Sequence, residues 1–549
     1  MKILVVGGVA AGTKAAAKLV RELGKEADVK VITLGKYISY AACGLPYYIG
    51  QVVKEKEILL ENTPQSFEDL TNVQVLTGIE ATKLDRAAKI VYAKIAETGE
   101  ELTYDYDKLV IATGARPVKP PLPGIDLKNI FTLRDPDDAD AIKAAVATGE
   151  IKRAVIIGGG AIGLEMAENL TALGVRSSVV DMAPHILPGY DGDFANFAEN
   201  ELAEHGIPTL LGDAVVSFEG EGKVQKVITK NRAKGIKTDM VIMAVGVRPN
   251  TEWIADSGLK FVEGTRILDV DDYMRTNDEN IWAVGDCAMV KNFITRKNNW
   301  TPMGSTANLM GRCAAKSIAG TAKHGFRGIL GTNVLKLPGV NVGKTGLGIE
   351  AAKAAGYDIE YVTITCYDKA KFYPDMEHFT IRLVAEKESR KLLGVQVLGK
   401  GHVDKIVDIG VTAISLGATI DVFDDMDFAY SPPFSSVIHP FAIAAAALEN
   451  KMDGNLAGDT FNALCIGDDW TLLDVGKTPV LPKLRHIDVG TINGVIDGVS
   501  TDSKVALFCL EGKNSYMAQN RMFRYGYKDV KVVEGGTMFN RELNEDLPG

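Results

Sequence analysis

The chain has 549 residues, enough for about three or four domains. Its 61 Lys and Arg against 71 Asp and Glu leave a net charge of -10, which argues against a protein that binds nucleic acid by neutralising phosphates. The sequence contains no apolar run of the roughly 18 residues that a membrane-spanning helix requires, and its start, MKILVVGGVAAG, has no signal-peptide cleavage site. We therefore expect a cytoplasmic protein that acts on small molecules, with neither membrane nor nucleic acid as a partner.

The chain opens with a strand, a glycine turn and a helix. The apolar run 2–6 leads into GGVAAG (7–12), followed by a helical pattern through Leu23 and a second strand over 29–34. This order predicts a βαβ unit that binds a dinucleotide.

The same order recurs 151 residues later. A strand over 153–157 leads into GGGAIG (158–163), then a helix through Leu173 and a strand that ends at Asp181. The segments YDKLVIATG and TDMVIMAVG supply a matching strand and glycine to each unit. The repetition predicts two dinucleotide-binding domains of the α/β class.

The texture changes from about Thr332. Strand-like alternation at 361–366, 379–384 and 392–398 precedes a helix over 403–416, which indicates an α+β unit. A connector near 452–459 then leads to about ninety residues with a new strand-helix rhythm. We expect a fourth domain there.

The second glycine turn is the more regular of the two. It has the full pattern Gly158-x-Gly160-x-x-Gly163, and Asp181 follows at the end of the next strand, where a carboxylate can accept both ribose hydroxyls. Such an acid would repel a 2′-phosphate, so the pattern favours NADH over NADPH. The alternative is a tight helix-strand turn without a ligand.

The first turn departs from the pattern. Val9 takes the place of the middle glycine, and Thr33 stands near the position where a ribose-binding acid is expected. The ribose contact of this domain is left open.

Cys43 lies just beyond the first βαβ unit, in YISYAACGLPYYIG. A thiol at the start of a helix would have its thiolate favoured, although a cysteine in an apolar stretch is more often a packing residue. The six cysteines contain no CxxC and no metal-type spacing, so any cysteine chemistry falls to single thiols. Packing is the expectation for Cys287, Cys313, Cys366 and Cys465.

Together with the glycine turns, the segments YISYAACGLPYYIG, KLVIATGARP, ENIWAVGDCA and TPMGSTANLMGRCAAKSIAG resemble the FAD- and NADH-dependent disulfide reductases with a single active-site cysteine. Within that group the chain is most similar to the coenzyme A-disulfide and NADH-dependent persulfide reductases. The resemblance implies an α/β fold with two Rossmann-like domains, for FAD (1–150 and 251–325) and for NADH (151–250). It further implies an α+β dimerisation domain (326–453) and hence a homodimer.

The resemblance also implies roles for particular residues. The FAD site would use Gly7, Gly8, Ala10, Gly12, Thr33, Ser39, Ala112, Thr113, Gly114 and Asp286, the last of these on the flavin ribitol, with a turn-capping aspartate as the alternative. The NADH site would use Gly158, Gly160, Ile162, Gly163, Asp181 and Gly246. Coenzyme A, as substrate or as a tightly bound group, would contact Lys14, Lys18, Arg21, Ser39 and Tyr40. A solvated basic helix face is the alternative for the three cations.

Several positions distinguish the chain from neighbouring groups. Tyr48 stands five residues after Cys43, where glutathione-reductase types have a second cysteine, so Cys43 must form a mixed disulfide or become oxidised. Peroxidases and oxidases of the group carry a His in the first glycine turn, and 9–11 offers no such proton donor. Ala42 replaces a frequent Asn, which removes one polar contact near the thiol. Tyr373 and Tyr430 match tyrosines that reach Cys43 from the partner subunit, and packing is the alternative for each.

The last ninety residues are similar to a rhodanese domain, over 460–549. A strand over 505–508 leads into Cys509 and the loop CLEGKNS, whose amides and following helix would stabilise a persulfide anion. Asn514 stands where an Arg is common, and Glu511 adds a negative charge. A degenerate domain that only binds a partner is the alternative.

The resulting hypothesis is NADH-dependent reduction of sulfur-sulfur bonds in coenzyme A persulfide, polysulfide or coenzyme A disulfide, through Cys43 and FAD. An NADH oxidase is the alternative of the same fold. A flavin-containing sulfur carrier or redox sensor is the alternative from a different class.

Overall fold

A computed structural model describes residues 1–541 and 543. The chain forms two compact units, one made of residues 1–186 and 206–329, the other of residues 187–205 and the chain from 330 onward. Helix-forming residues 192–204, which lie inside the interval of the second nucleotide domain, thus belong to the second unit.

The strands are β1 Lys2–Val6, β2 Asp28–Thr33, β3 Ile38–Tyr40, β4 Leu60–Asn62, β5 Gln74–Thr77, β6 Ile79–Asp85, β7 Ile90–Ile95, β8 Glu101–Asp105, β9 Lys108–Ile111, β10 Ala115–Pro117, β11 Ile130–Phe131, β12 Arg153–Ile157, β13 Arg176–Val180, β14 Thr209–Leu210, β15 Val215–Glu219, β16 Lys226–Thr229, β17 Arg232–Lys237, β18 Met240–Met243, β19 Val247–Pro249, β20 Ile281–Ala283, β21 Val290–Lys291, β22 Asn298–Asn299, β23 Asn333–Leu337, β24 Val340–Gly346, β25 Ile359–Tyr367, β26 His378–Glu386, β27 Leu392–Gly399, β28 Gly458–Asp459, β29 Trp470–Asp474, β30 Arg485–His486, β31 Lys504–Phe508 and β32 Asp529–Val533. The α-helices are α1 Ala10–Leu23, α2 Leu45–Ile49, α3 Pro64–Thr71, α4 Pro136–Ala147, α5 Ala161–Ala172, α6 Gly192–Glu204, α7 Gly304–Ile318, α8 Ile349–Ala354, α9 Val403–Leu416, α10 Pro440–Met452, α11 Phe461–Leu464, α12 Lys513–Arg524 and α13 Gly536–Phe539.

The first unit contains two parallel sheets. Their strand orders are β20-β9-β1-β2-β5 and β11-β18-β12-β13-β14, so β1 and β12 each lie between the next strand in sequence and a later one. This is the switch point at which doubly wound sheets bind ligands, at the carboxyl ends of the strands. The two βαβ units expected from the sequence are confirmed.

The second unit contains an antiparallel sheet in the order β23-β24-β27-β26-β25. Side chains alternate between its faces because of the two-residue strand period. On β25 and β26, apolar residues including Val362, Ile381 and Leu383 are fully buried. The other face is polar, with the threonines at 363, 365 and 380 and Arg382 all buried. The predicted helix over 403–416 is confirmed as α9.

Arg382 explains why 187–205 belongs to this unit. Its side chain is 1% exposed, and its guanidinium donates to Asp191 Oδ2 (3.0 Å) and to both carboxylate oxygens of Asp193 (2.8 and 2.5 Å). A buried guanidinium requires such partners, so the pair of acids before and at the start of α6 holds that helix on the polar face.

A second, parallel sheet lies in the same unit, in the order β28-β32-β31-β29-β30. Helix α12 follows its central strand β31. Among the described residues, no helix has the length and apolar composition needed to cross a membrane.

Candidate active site

The first glycine turn brings β1, β9 and α1 closer together than side chains would allow. Gly7 has φ +118°, and a Cβ there would lie 2.0 Å from the carbonyl oxygen of Ala112. A Cβ on Gly12 would lie 1.9 Å from the Gly7 oxygen. With α1 beginning at Ala10, the amides of its first turn are available for a diphosphate at the carboxyl end of β1.

Residues from three neighbouring segments surround this turn. The Ser39 amide donates to the Gly8 carbonyl (3.1 Å), and Thr33 is buried against Gly8. Thr113 Oγ1 donates to the carbonyl of Asn250 (2.7 Å), directly after the end of β9. The residues that the sequence assigned to an FAD site thus meet at one edge of the sheet.

Asp286 lies at the same edge, in a 3-10 turn after β20. Arg134 Nη2 donates to its Oδ2 (3.3 Å), while burial raises the pKa of the carboxyl against the opposing effect of that guanidinium. A Cβ on the preceding Gly285 would lie 3.0 Å from the Ala11 side chain, so Asp286 is adjacent to the start of α1. A carboxylate in this position can bind a ligand at the start of α1, in addition to the Arg134 guanidinium that it contacts.

The second glycine turn repeats the first. Gly158 has φ +113° and a Cβ there would lie 2.3 Å from the Ala244 oxygen, and a Cβ on Gly163 would lie 2.0 Å from the Gly158 oxygen. Open space surrounds Gly160 and Gly246, and Ile162 is exposed at the start of α5. The turn therefore has room for a nucleotide against the amides of α5.

Asp181 borders this second turn directly after β13. Its carboxylate accepts hydrogen bonds from the amides of Gly159 (2.6 Å) and Ala183 (2.8 Å). Each carboxylate oxygen has further acceptor capacity, so the geometry suits a ribose contact beside the turn.

Cys43 lies in a 3-10 turn, Ala42–Gly44, immediately before the short helix α2. The expectation that the protein's own groups favour the Cys43 thiolate is wrong. Burial and the carboxylate of Glu165 raise the pKa of Cys43, and a helix of five residues offers little compensation. The residue is nevertheless exposed on one side and accessible to a substrate.

Glu165 is a site residue that the sequence reasoning missed. It lies on α5, and Tyr47 Oη donates to its Oε1 (3.2 Å). Burial raises the pKa of Glu165 to about 7 despite this hydrogen bond. A carboxyl that titrates near neutral pH close to a thiol can exchange protons during a reaction. The only signal in the sequence was an acid two residues after Gly163, which is common on any amphipathic helix.

Tyr48 occupies the position of an absent second cysteine. It is buried, and its hydroxyl donates to Asp140 Oδ1 (3.0 Å). Tyr40 is held in a similar way, with its hydroxyl 3.4 Å from the Arg134 carbonyl and its pKa raised to about 12 by burial. Cys43 has no second thiol at the expected spacing.

The three cations expected to contact coenzyme A lie along α1. Lys18 forms an ion pair with Glu22, which also accepts a hydrogen bond from Thr321 Oγ1 (2.6 Å). Lys14 and Arg21 flank Lys18 at helical spacings of four and three. Phosphate binding at Lys18 would compete with this pair.

Tyr373 and Tyr430 lie in the second unit on two neighbouring loops. Both are exposed, and the Ala370 amide donates to the Pro432 carbonyl (3.3 Å) between the loops. The same stretches of chain carry large exposed apolar side chains, namely Phe372, Met426, Phe434, Val437 and Ile438. Exposed apolar side chains concentrated in this way along the chain are typical of a protein-protein interface.

Cys509 follows the central strand β31. It is buried, and its Sγ accepts hydrogen bonds from the amides of Gly512 (3.2 Å) and Ser515 (3.4 Å) at the start of α12. These donors and the positive end of a twelve-residue helix stabilise negative charge on sulfur.

The remaining cysteines divide into two kinds. Cys287 and Cys366 are buried and Cys313 is half-buried, as expected for packing residues. The same expectation is wrong for Cys465, which is exposed and ends α11 with φ +48°. A helix end at the surface places that side chain in solvent.

Family models match most of the chain. Residues 1–308 match the pyridine nucleotide-disulphide oxidoreductase model and residues 336–442 match its dimerisation domain. A relative from Pyrococcus horikoshii, named NAD(P)H coenzyme A polysulfide/persulfide reductase, is 34% identical over 449 residues, 82% of this chain and 98% of its own. An NADH oxidase from Methanocaldococcus jannaschii is 34% identical over 454 residues, 82% of this chain and 99% of its own.

A solved structure extends the likeness beyond these family models. The NAD-dependent persulfide reductase from A. fulgidus is 35% identical, with a TM-score of 0.92 over 98% of this chain and 100% of its own. With two glycine turns and these matches, the chain belongs to the pyridine nucleotide-disulphide oxidoreductase family and is an NADH-dependent flavoprotein reductase.

Proposed function

We propose that this reductase cleaves sulfur-sulfur bonds of coenzyme A persulfide, polysulfide or coenzyme A disulfide at Cys43. The observation that carries the proposal is the accessible thiol of Cys43, with buried Tyr48 in place of a partner cysteine five residues on. A thiol of this kind must exchange with a sulfur atom of the substrate. The absence of an ionisable side chain at 9–11 argues against peroxide chemistry in the first turn.

The cofactor sites follow from the two glycine turns. The first turn with Thr33, Ser39 and Asp286 would hold FAD, and the second with Asp181 would hold NADH. When bound, FAD supplies the two electrons, taken from NADH, that release the captured sulfur and restore the Cys43 thiolate.

The first step that the protein's own residues would perform is the deprotonation of Cys43. Cys43 gives up its proton, for which the Glu165 carboxylate, with its pKa of about 7, is the nearby acceptor. The thiolate then attacks the outer sulfur of the substrate. One S–S bond forms at Cys43 as the substrate S–S bond breaks, and coenzyme A leaves as a thiolate that takes up a proton.

The tyrosine-bearing loops complete the site in a homodimer. Tyr373 and Tyr430 would approach Cys43 from the partner subunit and donate hydroxyl protons to the leaving sulfur. The exposed apolar side chains on the same stretches of chain support an interface there. The phosphates of coenzyme A would bind to Lys14, Lys18 and Arg21. For this, Lys18 would have to leave its ion pair with Glu22 and bind a phosphate instead.

The C-terminal sheet would serve as a rhodanese-like sulfur transferase. The Cys509 thiolate would attack a polysulfide, forming one S–S bond as one breaks and releasing the shortened polysulfide anion without net oxidation. The amides of Gly512 and Ser515 support this proposal because they would stabilise both the thiolate and the persulfide.

Anaerobic NADH consumption with each sulfur acceptor, compared with NADH consumption in oxygen alone, tests the main proposal. We expect rapid turnover with at least one sulfur acceptor and slow turnover with oxygen. Rapid turnover with oxygen alone would instead favour an NADH oxidase, the name carried by the relative from Methanocaldococcus jannaschii. Negligible turnover with every acceptor would leave a sulfur carrier or redox sensor.

A further inference from the structure

Strand β25 contacts the C-terminal region through every second residue. The Thr363 amide donates to Glu534 Oε2 (2.7 Å), and Thr365 Oγ1 donates to the Gly535 carbonyl (2.8 Å). Residues two apart share a face of the strand, and the next one on this face is Tyr367. Its hydroxyl donates to Glu511 Oε1 (2.5 Å), in the loop that follows Cys509.

The Glu511 carboxylate is therefore held by residues that lie outside its own loop. His378, paired with Tyr367 across the strands, places Nε2 3.5 Å from the same oxygen. Lys371 Nζ lies 5.3 Å from the centre of the Tyr367 ring. Burial opposes ionisation of Glu511, but the nearby His378 ring and the hydrogen bond from Tyr367 outweigh it, so the pKa of this carboxyl lies below its usual value.

The direction of this carboxylate matters because of what the loop binds. Glu511 lies two residues after Cys509, and the loop amides hold the Cys509 sulfur. A carboxylate turned toward that sulfur would oppose a thiolate or persulfide anion. Lys513 at the start of α12 is the loop's own cation, and Asn514 adds no charge.

We propose that Tyr367 is a positioning residue for Cys509: by holding the Glu511 carboxylate on the sheet, it keeps a negative charge away from the reacting sulfur. The inference rests on the proposed sulfur transfer at Cys509. It assigns the antiparallel sheet a part in that chemistry through a side chain that contacts neither the sulfur nor a substrate.

Tyr367→Phe tests the inference, with Tyr361→Phe as the matched control. Tyr361 lies on the same face of β25, and its hydroxyl donates to Asp459 Oδ2 (2.6 Å), away from the loop. Two readouts serve: the pH midpoint of Cys509 alkylation by iodoacetamide, followed by peptide mass spectrometry, and the rate of sulfur transfer from inorganic polysulfide to cyanide.

We expect Tyr367→Phe to move the alkylation midpoint to higher pH by about one unit and to slow sulfur transfer at pH 7 roughly tenfold. Adding Glu511→Gln to Tyr367→Phe should restore both, because the uncharged amide no longer opposes the anion. A profile equal to that of Tyr361→Phe, or no restoration by Glu511→Gln, would overturn the inference. If the unaltered protein transfers no sulfur, the proposed transferase function fails, while the alkylation comparison still decides the role of Tyr367.

Discussion

At the scale of single residues, Cys43 and Cys509 differ in how the protein stabilises negative charge on sulfur. Cys509 accepts two backbone hydrogen bonds at a helix start. Cys43 lies before a helix of five residues, and burial and Glu165 raise its pKa. The protein therefore leaves stabilisation of the Cys43 thiolate to whatever binds beside it, and Glu165 becomes the group that controls its protonation.

Replacement of Glu165 by Gln should make Cys43 easier to ionise. Above pH 7 the Glu165 carboxylate is charged and disfavours the thiolate, so its removal lowers the pKa of Cys43. The pH midpoint of Cys43 alkylation in the holoenzyme should fall by roughly half a unit to one unit. Asp140→Asn is the matched control, because Asp140 accepts the corresponding hydrogen bond from Tyr48. Equal midpoints in the two variants would exclude Glu165 from the control of Cys43.

Cys43→Ser should abolish reduction of sulfur acceptors while FAD stays bound and NADH still reduces it. The hydroxyl of serine cannot form the mixed disulfide on which exchange depends, so turnover should fall on the order of a thousandfold. Stopped-flow flavin absorbance and steady-state NADH consumption separate the two steps. Retention of most acceptor turnover would contradict the assignment of Cys43.

The residues that the sequence could predict are those with a local signature. Gly7, Gly12, Gly158 and Gly163 are required by the spacing of one strand and one helix, and the structure places them as that spacing predicts. Glu165 could not be found because its partner Tyr47 is 118 residues away. Contacts of that kind are set by how distant segments of the chain pack, which no short pattern encodes.

At the scale of elements, the two glycine turns are built by the same steric rule. In each, one glycine with positive φ approaches a carbonyl at the end of the neighbouring strand, and a second approaches the first. The helix is thereby drawn toward its strand, and its first amides meet at the strand end. Any side chain at these positions separates the elements before it affects a ligand.

Gly158→Ala should weaken NADH binding at least tenfold, because a methyl group 2.3 Å from the Ala244 carbonyl forces the turn to move. Gly174→Ala is the control, since Gly174 also has positive φ (+82°) but faces open space. That control should cost about 1 kcal/mol of stability from its backbone conformation alone. Titration of each holoenzyme with NADH measures the difference. Equal affinities would mean that the close approach is dispensable.

At the scale of the whole molecule, the C-terminal region depends on an ion pair buried against the antiparallel sheet. Lys451 Nζ lies 2.7 Å from Glu534 Oε1, and their side chains are 9% and 2% exposed. The other Glu534 oxygen accepts from the Thr363 amide. The carboxylate is thus shared between a helix and a strand outside its own sheet.

Lys451→Met should destabilise the protein by about 3–5 kcal/mol, because it leaves the Glu534 carboxylate buried without its cation. Adding Glu534→Gln should recover much of that loss, since the amide can still accept from Thr363 and carries no charge. Urea unfolding of the two variants, followed by tryptophan fluorescence, gives the comparison. A stability loss below about 1 kcal/mol in Lys451→Met would show that the pair is open to solvent.

The sequence predicted the order of strands and helices better than it predicted their surfaces. Alternation along 361–366 correctly indicated a strand, now seen as part of β25. It did not reveal that Thr363 and Thr365 on that strand are buried against the C-terminal region. Nor did the pattern of the next strand, β26, reveal that Arg382 is buried against Asp191 and Asp193. Threonine, tyrosine and arginine on a strand are expected in water, and only a partner with matching acids makes their burial favourable.

The contacts that every second residue of β25 makes also limit how the C-terminal region could be replaced by that of another protein. A domain of similar fold, recombined at residue 458, would bring other side chains to Thr363, Thr365 and Tyr367. It would also remove the buried Glu534 partner of Lys451 unless a carboxylate stood at that position. A working chimera would therefore need β25 and the chain after residue 458 from the same source. The gene segments that encode them are expected to change together.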